Sequence, residues 1–220
     1  MIDLLAVHLA LRNRALAVSV ATTGSTSLSA TATGYARAAG SFITDGFSVG
    51  MEITPAGFAT NTVDVLTGVT ATALTTKNAR AVEAVAAGRT ISVGFPAVRA
   101  FENVTLTPTS GRPYIEEDFV PATNSLLSFP ASGGTVEETG LYVIKWYGLS
   151  DTGVSALRKS VDALKALFAP GTTLTAGSNT VRVRGDTATQ AGQIIPLAGG
   201  WSVLTLTIPW RAYSVNQVAA

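Results

Sequence analysis

One change of period constrains the fold more than anything else in the chain. Residues 140–149, GLYVIKWYGL, alternate as a strand does, and residues 154–168, VSALRKSVDALKALF, repeat as a helix does, with only SDTG between them. In the strand, Leu141, Val143 and Tyr147 share one face and Tyr142, Ile144 and Trp146 the other. A strand apolar on both faces is covered on both. In the helix, Val154, Leu157, Val161, Leu164 and Phe168 form one stripe, with Arg158, Lys159, Asp162 and Lys165 opposite. Ser150, Asp151 or Thr152 can cap the helix N-terminus, and Pro170-Gly171 stops it. The strand must lie in a sheet with its own helix folded back over one face. The other face is left for a neighbouring chain or for another part of this one.

The rest of the chain is organised around that corner. The opening segment reads as a helix to about Ala17, with Ile2, Leu5 and Leu9 on one face, Leu4, His8 and Leu11 beside them, and Asp3 placed to complement the helix dipole. Residues 21–95 carry short β-branched runs cut by Asp45-Gly46, Pro55-Ala56-Gly57 and Gly68, the pattern of a small antiparallel β-domain. Phe42, Phe47, Val49, Met51 and Ile53 are its candidate core. ARAVEAVAAG (79–88) fits either a short helix or a strand with a loop, and RTISVGFP closes the unit as a strand. RAFENVTLTP and RPYIEEDFVP read as the next two strands. A loop follows with Pro121, Pro130 and Gly133-Gly134. SNTVRVRG sets Val181 and Val183 against Arg182 and Arg184. GWSVLTLTIPWRAYS sets Leu204, Leu206, Ile208 and Trp210 against Val203, Thr205 and Thr207. Pro209 there points to an edge or a bulge, and the tail VNQVAA is expected to be loose. The fold class is α+β: an antiparallel or mixed sheet flanked by an N-terminal helix and one amphipathic helix (residues 1–20 plus 96–220), with a small all-β domain (21–95) inserted.

Charge now matters. Charged residues make up 13% of the 220, against about 25% in ordinary soluble domains, and mean hydropathy is +0.35. Interface cores are depleted in charge, so burial against other subunits is one explanation; a surface rich in Ser, Thr and Gly is the other. The net charge of +1 gives no strong preference for nucleic acid or membranes. Arg12 and Arg14 follow the first apolar run rather than preceding it, the reverse of a signal peptide. The uncharged run Ala15–Ala36 is too rich in Ser, Thr and Gly to span a bilayer. A soluble, unexported protein is expected.

A search for chemistry returns little. The absence of cysteine removes thiolate nucleophiles and cysteine metal sites. His8 is the single histidine, with no neighbouring ligand type, so no catalytic residue, metal or cofactor is expected. Glu116 and Asp118 share a strand face, with Glu117 opposed; they form a solvated face or, as functional readings, an acidic lining in preference to a metal site. Arg182 and Arg184 share another face and suit phosphate or the carboxylates of another subunit. No glycine-rich phosphate loop is present. Trp146 and Trp210 lie in strongly apolar strands, where core filling competes with a sugar platform.

Taken together, RAFENVTLTPTSGRPYIEEDFVPA, EETGLYVIKWYGLSDTGVSALRKSVDALKALFAPGTTL and GGWSVLTLTIPWRAY resemble the tail terminator family of long-tailed, siphovirus-like bacteriophages. The matching positions are Asn103, Val104, Pro108, Gly111, Tyr114, Ile115, Gly140, Tyr142 and Ile144, over roughly 96–215 plus the opening helix. Residues 21–95 depart from the family's simple pattern. The resemblance implies a non-enzymatic structural protein: a homo-oligomeric ring, typically a hexamer, at the virion's head–tail junction, assembled in the host bacterial cytoplasm. It would cap the head-proximal end of the tail tube, halt polymerisation and dock the head-side connector. Its partners would be itself, the tail tube protein, the connector, and genomic DNA crossing the lumen without sequence-specific binding; no membrane is implied. Glu116, Glu117, Asp118, Arg182 and Arg184 are the candidate subunit-interface or lumen residues. The alternatives are another head–tail connector or tube subunit, and a glycan-binding β-module using Phe42, Phe47 or Phe58.

Overall fold

The computed structural model describes residues 2–24, 27–60, 62–100, 106, 111–127, 135–152 and 154–215. Asn103, Val104, Pro108, Pro130, Gly133-Gly134 and the tail from residue 216 lie outside them.

Helix α1 spans Leu4–Leu16; Asp3 caps it by accepting from the Ala6 N–H at 3.0 Å. Its buried residues are Val7, Leu11 and Ala15, whereas Leu5 is 66% and Leu9 41% exposed. This corrects the face expected from sequence. The helix is apolar nearly all round, so periodicity alone does not choose its buried side.

Seven short strands follow: β1 (Ala21–Gly24), β2 (Leu28–Thr31), β3 (Gly34–Arg37), β4 (Glu52–Ala56), β5 (Asp64–Val69), β6 (Ala73–Thr76) and β7 (Thr90–Val93). They form one antiparallel sheet in the order β1-β7-β4-β5-β6-β3-β2. Phe42, Phe47, Met51 and Ile53 are in its core, and Val49 is half-buried. Phe42 opens a turn and Phe47 directly follows it, neither of them in a strand, and Pro55 lies inside β4 opposite Ile91, so the turn falls at Gly57 (φ 79°). The segment 79–88 is neither helix nor regular strand. It runs along the free edge of β2, joined to it at Ala30 and Glu83 by reciprocal backbone bonds. Three arginines brace this unit, each over an aromatic ring and each paired: Arg37 on Phe42 with Asp45, Arg80 on Tyr35 with Asp64, Arg89 on Phe58 with Glu83.

The second sheet is built from β8 (Val98–Ala100), β9 (Tyr114–Leu126), β10 (Thr135–Leu149), β11 (Thr173–Ala176), β12 (Asn179–Val183), β13 (Gln190–Ala191), β14 (Ile195–Leu197) and β15 (Trp201–Val215). Its order is β11-β12-β15-β10-β9-β8, with β13 and β14 also paired to β15. All pairs are antiparallel except β8 with β9. β9 continues through Pro121, where a loop was expected, shifting register at Thr139/Gly140 of β10. Gly140 is required there: a Cβ would stand 2.5 Å from the Trp210 ring and 2.5 Å from the Val120 carbonyl oxygen. Pro209 sits inside a central strand but at a local edge. Its carbonyl accepts from the Arg184 N–H, so its nitrogen faces the same side, where β12 has ended opposite Trp210 and β13 begins only opposite Thr207.

Helix α2 (Ser155–Leu167) packs Leu157, Val161, Leu164 and, just beyond its end, Phe168 on this sheet. Its capping differs from expectation. Ser150–Thr152 form a 3₁₀ turn, the Ser150 hydroxyl meets that of Ser202, and the N-cap is Val154, which offers no side-chain acceptor. Both helices lie on one face, over Ile115, Phe119, Tyr142, Ile144, Trp146, Leu206, Ile208 and Trp210. The outer face of the same strands carries neither helix. The two cores meet at α2, whose Ala156 belongs to the core of the first sheet.

Candidate interaction surface

The pairing register lays out the outer face of the second sheet row by row. Val120, Leu141 and Pro209 make one row; Asp118, Val143 and Thr207 the next; then Glu116, Lys145 and Thr205; then Tyr114, Tyr147 and Val203. In the other direction come Thr123, Thr139, Arg211 and Arg182, followed by Ser125, Glu137, Tyr213 and Thr180.

Each end of this face has its own chemistry. At one end Lys145 Nζ lies 2.9 Å from Asp118 and 3.9 Å from Glu116, and the Tyr147 hydroxyl donates to Glu116 at 2.6 Å. Tyr147 stacks on Tyr114 at 4.2 Å, and Trp201 meets Tyr114 edge-on at 5.1 Å. Burial, reinforced by the Glu116 carboxylate, pushes the Tyr147 phenol well above its ordinary range. At the other end the Arg211 guanidinium lies over the Tyr213 ring at 5.7 Å. Burial first, then a hydrogen bond to Glu137, raises the Tyr213 phenol. Arg184 holds Asp186 at 3.0 and 2.5 Å and pulls that exposed carboxyl down to about 2. The middle is apolar and partly open: Leu141 is 39% and Val120 46% exposed.

The acidic run therefore divides at the sheet. Glu116 and Asp118 stand on the outer face. Glu117 is turned inward, 2% exposed, under α1. Its Oε2 accepts from Arg12 Nε at 3.0 Å and from the Tyr142 hydroxyl at 2.7 Å. Arg12 also donates to Nε2 of His8 at 3.2 Å, an acceptor role that follows because arginine only donates, and His8 stacks on Phe119 at 4.7 Å. Burial beside the Glu117 carboxylate drives the Tyr142 phenol far above its ordinary value. Arg12 and Tyr142 were missed as partners of Glu117, and His8 as a partner of Arg12 beneath the same helix, because the contacts that join α1 to the sheet span distant parts of the sequence. Their network is closed over by α1 and fastens that helix to the sheet.

The aromatics proposed for sugar binding are not available: Phe42, Phe47 and Phe58 are at most 5% exposed and lie in the first core. Trp146 and Trp210 are likewise core residues. Among the described residues no group of three His, Cys, Asp or Glu is placed to hold a metal, and no helix is long and apolar enough to cross a membrane.

The family profile described as phage tail terminator protein matches residues 79–210, more than half of the chain. The chain belongs to the phage tail terminator family. The match takes in β7 of the first sheet and most of the second, ending at Trp210 of β15. No curated protein matches. One solved structure aligns with 58% of this chain and 83% of its own at 21% identity, with a TM-score of 0.41, too distant a likeness to argue from. The terminator family is a family of structural phage proteins, which identifies this chain as a virion tail component.

Proposed function

We propose that this chain is a tail terminator that forms a ring, a hexamer by analogy with its family, on the head-proximal end of the tail tube. There it stops tube polymerisation, docks the head-side connector and lets DNA through without reading sequence. The family match carries the proposal. A closed ring needs a heterologous contact between two different patches of one subunit. The chain offers candidates on its opposite sides: the open sheet face, and the exposed Leu5, Leu9 and Leu16 of α1. Residues 1–20 plus 96–220 would form the ring unit and residues 21–95 an inserted unit presented to the tube or neck. The role is scaffolding rather than catalysis. The test is a polymerising preparation of the cognate tube protein. Adding this chain should shorten the tubes and leave a ring at one end of each in electron micrographs. Tubes that grow unchanged and bare-ended would refute the role. Long tubes formed by this chain alone would make it a tube subunit instead.

A further inference from the structure

We propose that two copies of this chain pair face to face through the outer surface of the second sheet, the Arg182 and Arg211 guanidiniums of each copy receiving the Glu116 and Asp118 carboxylates of the other.

The starting point is a pair of like charges side by side. Arg182 and Arg211 stand directly opposite each other on β12 and β15. Like charges at that position destabilise a sheet. Among the described residues neither has a carboxylate within ion-pair distance, whereas seven other cations do: Arg12, Arg37, Arg80, Arg89, Arg112, Lys145 and Arg184. The nearby acids are occupied, Glu137 by the Tyr213 hydroxyl and Asp186 by Arg184. The Arg211 Nε is shut off from water without an acceptor. This end of the face sets three arginines, Arg182, Arg184 and Arg211, against two carboxylates, Glu137 and Asp186, so one cation is in excess.

The same face supplies an anion. Glu116 and Asp118 share a single lysine, and their side chains are 36% and 41% exposed, so one carboxylate is in excess and reachable. Along β15, four to six residues separate the Arg211 row from the Thr207 and Thr205 rows that carry Asp118 and Glu116, about 14–20 Å at ~3.4 Å per residue. A two-fold axis lying in the face and crossing it near Leu141 and Val143, midway between the charged ends, exchanges them. It also lays the open apolar residues Leu141 and Val120 of the two copies together. An apolar centre with a charged rim is the ordinary anatomy of an interface, and a two-fold pair is the commonest symmetry.

Duplex DNA fits the face less well. A polyanion laid along it would cross Glu137, Asp118 and Glu116, whereas a partner's carboxylates need only the arginine end. The pair is isologous, whereas the ring contact is heterologous. Both draw on the open sheet face and so exclude each other there, which makes the pair a state of the subunit outside the ring.

Sedimentation equilibrium of the full chain over a concentration series tests the proposal. The wild type should reach dimer mass. Arg182→Glu with Arg211→Glu should weaken the dimer at least tenfold, as should Glu116→Lys with Asp118→Lys. The milder Glu116→Gln with Asp118→Asn serves if lysine disturbs folding, which circular dichroism reports. Mixing the two reversed proteins should restore a dimer containing one of each, because their faces become complementary. A wild type that stays monomeric, association unchanged by the reversals, or a mixture that stays monomeric would overturn the pair. So would arginine reversal that abolishes duplex DNA binding while leaving self-association intact. The tube-capping assay on the wild type judges the terminator role separately.

Discussion

Glu117 shows how one buried charge organises its surroundings. Its side chain is wholly enclosed, and its Oε2 accepts from Arg12 and from the Tyr142 hydroxyl. A buried carboxylate that loses its cation is left uncompensated, which costs several kcal/mol, whereas replacing both partners by apolar residues costs little. Arg12→Ala should therefore destabilise the protein by about 3 kcal/mol. Arg12→Met combined with Glu117→Met and Tyr142→Phe, which also removes the hydroxyl that Glu117 holds, should recover most of that loss. Urea unfolding of the wild type and the two variants checks this, and a triple variant as unstable as Arg12→Ala would show that the loss comes from α1 packing instead. Gly140 is the complementary case, a residue required for its missing side chain. With the Trp210 ring and the Val120 carbonyl already where a Cβ would go, Gly140→Ala should cost about 3 kcal/mol, at the upper end of overpacking losses. Thermal unfolding of Gly140→Ala within 2 °C of wild type would contradict that geometry, since ~3 kcal/mol corresponds to a shift of several degrees in a chain of this size. Gly140 was visible in sequence as part of a motif, but its reason was not: the ring it accommodates comes from the opposite strand of the pair.

At the scale of elements, the sequence announces what local periodicity determines and is silent on what long-range partners determine. The β10–α2 corner was legible because both its periods are clean: Tyr142, Ile144 and Trp146 alternate into the core, and Leu157, Val161, Leu164 and Phe168 recur onto it. The capping of α2 was misjudged because the cap candidates serve a 3₁₀ turn that Ser202, on β15, helps to hold. Helix α1 was found with the wrong face inward. Leucines lie on both of its sides, so the choice falls to Arg12 reaching Glu117 and His8 stacking on Phe119, contacts no window of α1 contains. The two faces are separable by experiment. Leu11→Ala should cost about 2–5 kcal/mol, as a fully buried leucine does, while Leu5→Ala should stay within about 0.5 kcal/mol, as exposed positions do. Denaturant midpoints of the purified proteins at one shared concentration decide it, and equal losses at the two positions would mean that α1 lies otherwise. The candidate site was half legible for a similar reason: strand alternation puts Glu116 with Asp118 and Arg182 with Arg184, but only the register reveals that Arg211 stands opposite Arg182.

Across the whole molecule the open question is whether the two sheets are independent. Their cores are distinct, yet three fastenings join them. Glu52 of β4, mostly buried, accepts from Arg112 at 2.9 Å and from the Ala97 N–H at 3.1 Å, both in the chain that leads into the second sheet. Lys159 of α2 reaches back to the Gly46 carbonyl at 3.1 Å and the Ser48 hydroxyl at 2.8 Å. Phe95 meets Trp146 edge-on at 5.8 Å. The seam leaves a cavity of about 20 Å³ among Met51, Glu52, Trp146, Leu157 and Ser160, room for about one water. Fastenings of this kind couple the sheets into one cooperative unit. The three tryptophans, Trp146, Trp201 and Trp210, all belong to the second sheet, so fluorescence follows that sheet alone while far-ultraviolet circular dichroism follows both. Coincident transitions are the mark of two-state unfolding, and the wild type should show them. Glu52→Ala with Lys159→Met, which releases two of the fastenings without entering either core, should pull the curves apart, with the small first sheet melting earlier. Separate curves in the wild type would mean that the seam holds nothing and that the first sheet is a free module. Coincident curves in the double variant would place the coupling in the apolar contacts of Ala156 and Phe95 instead.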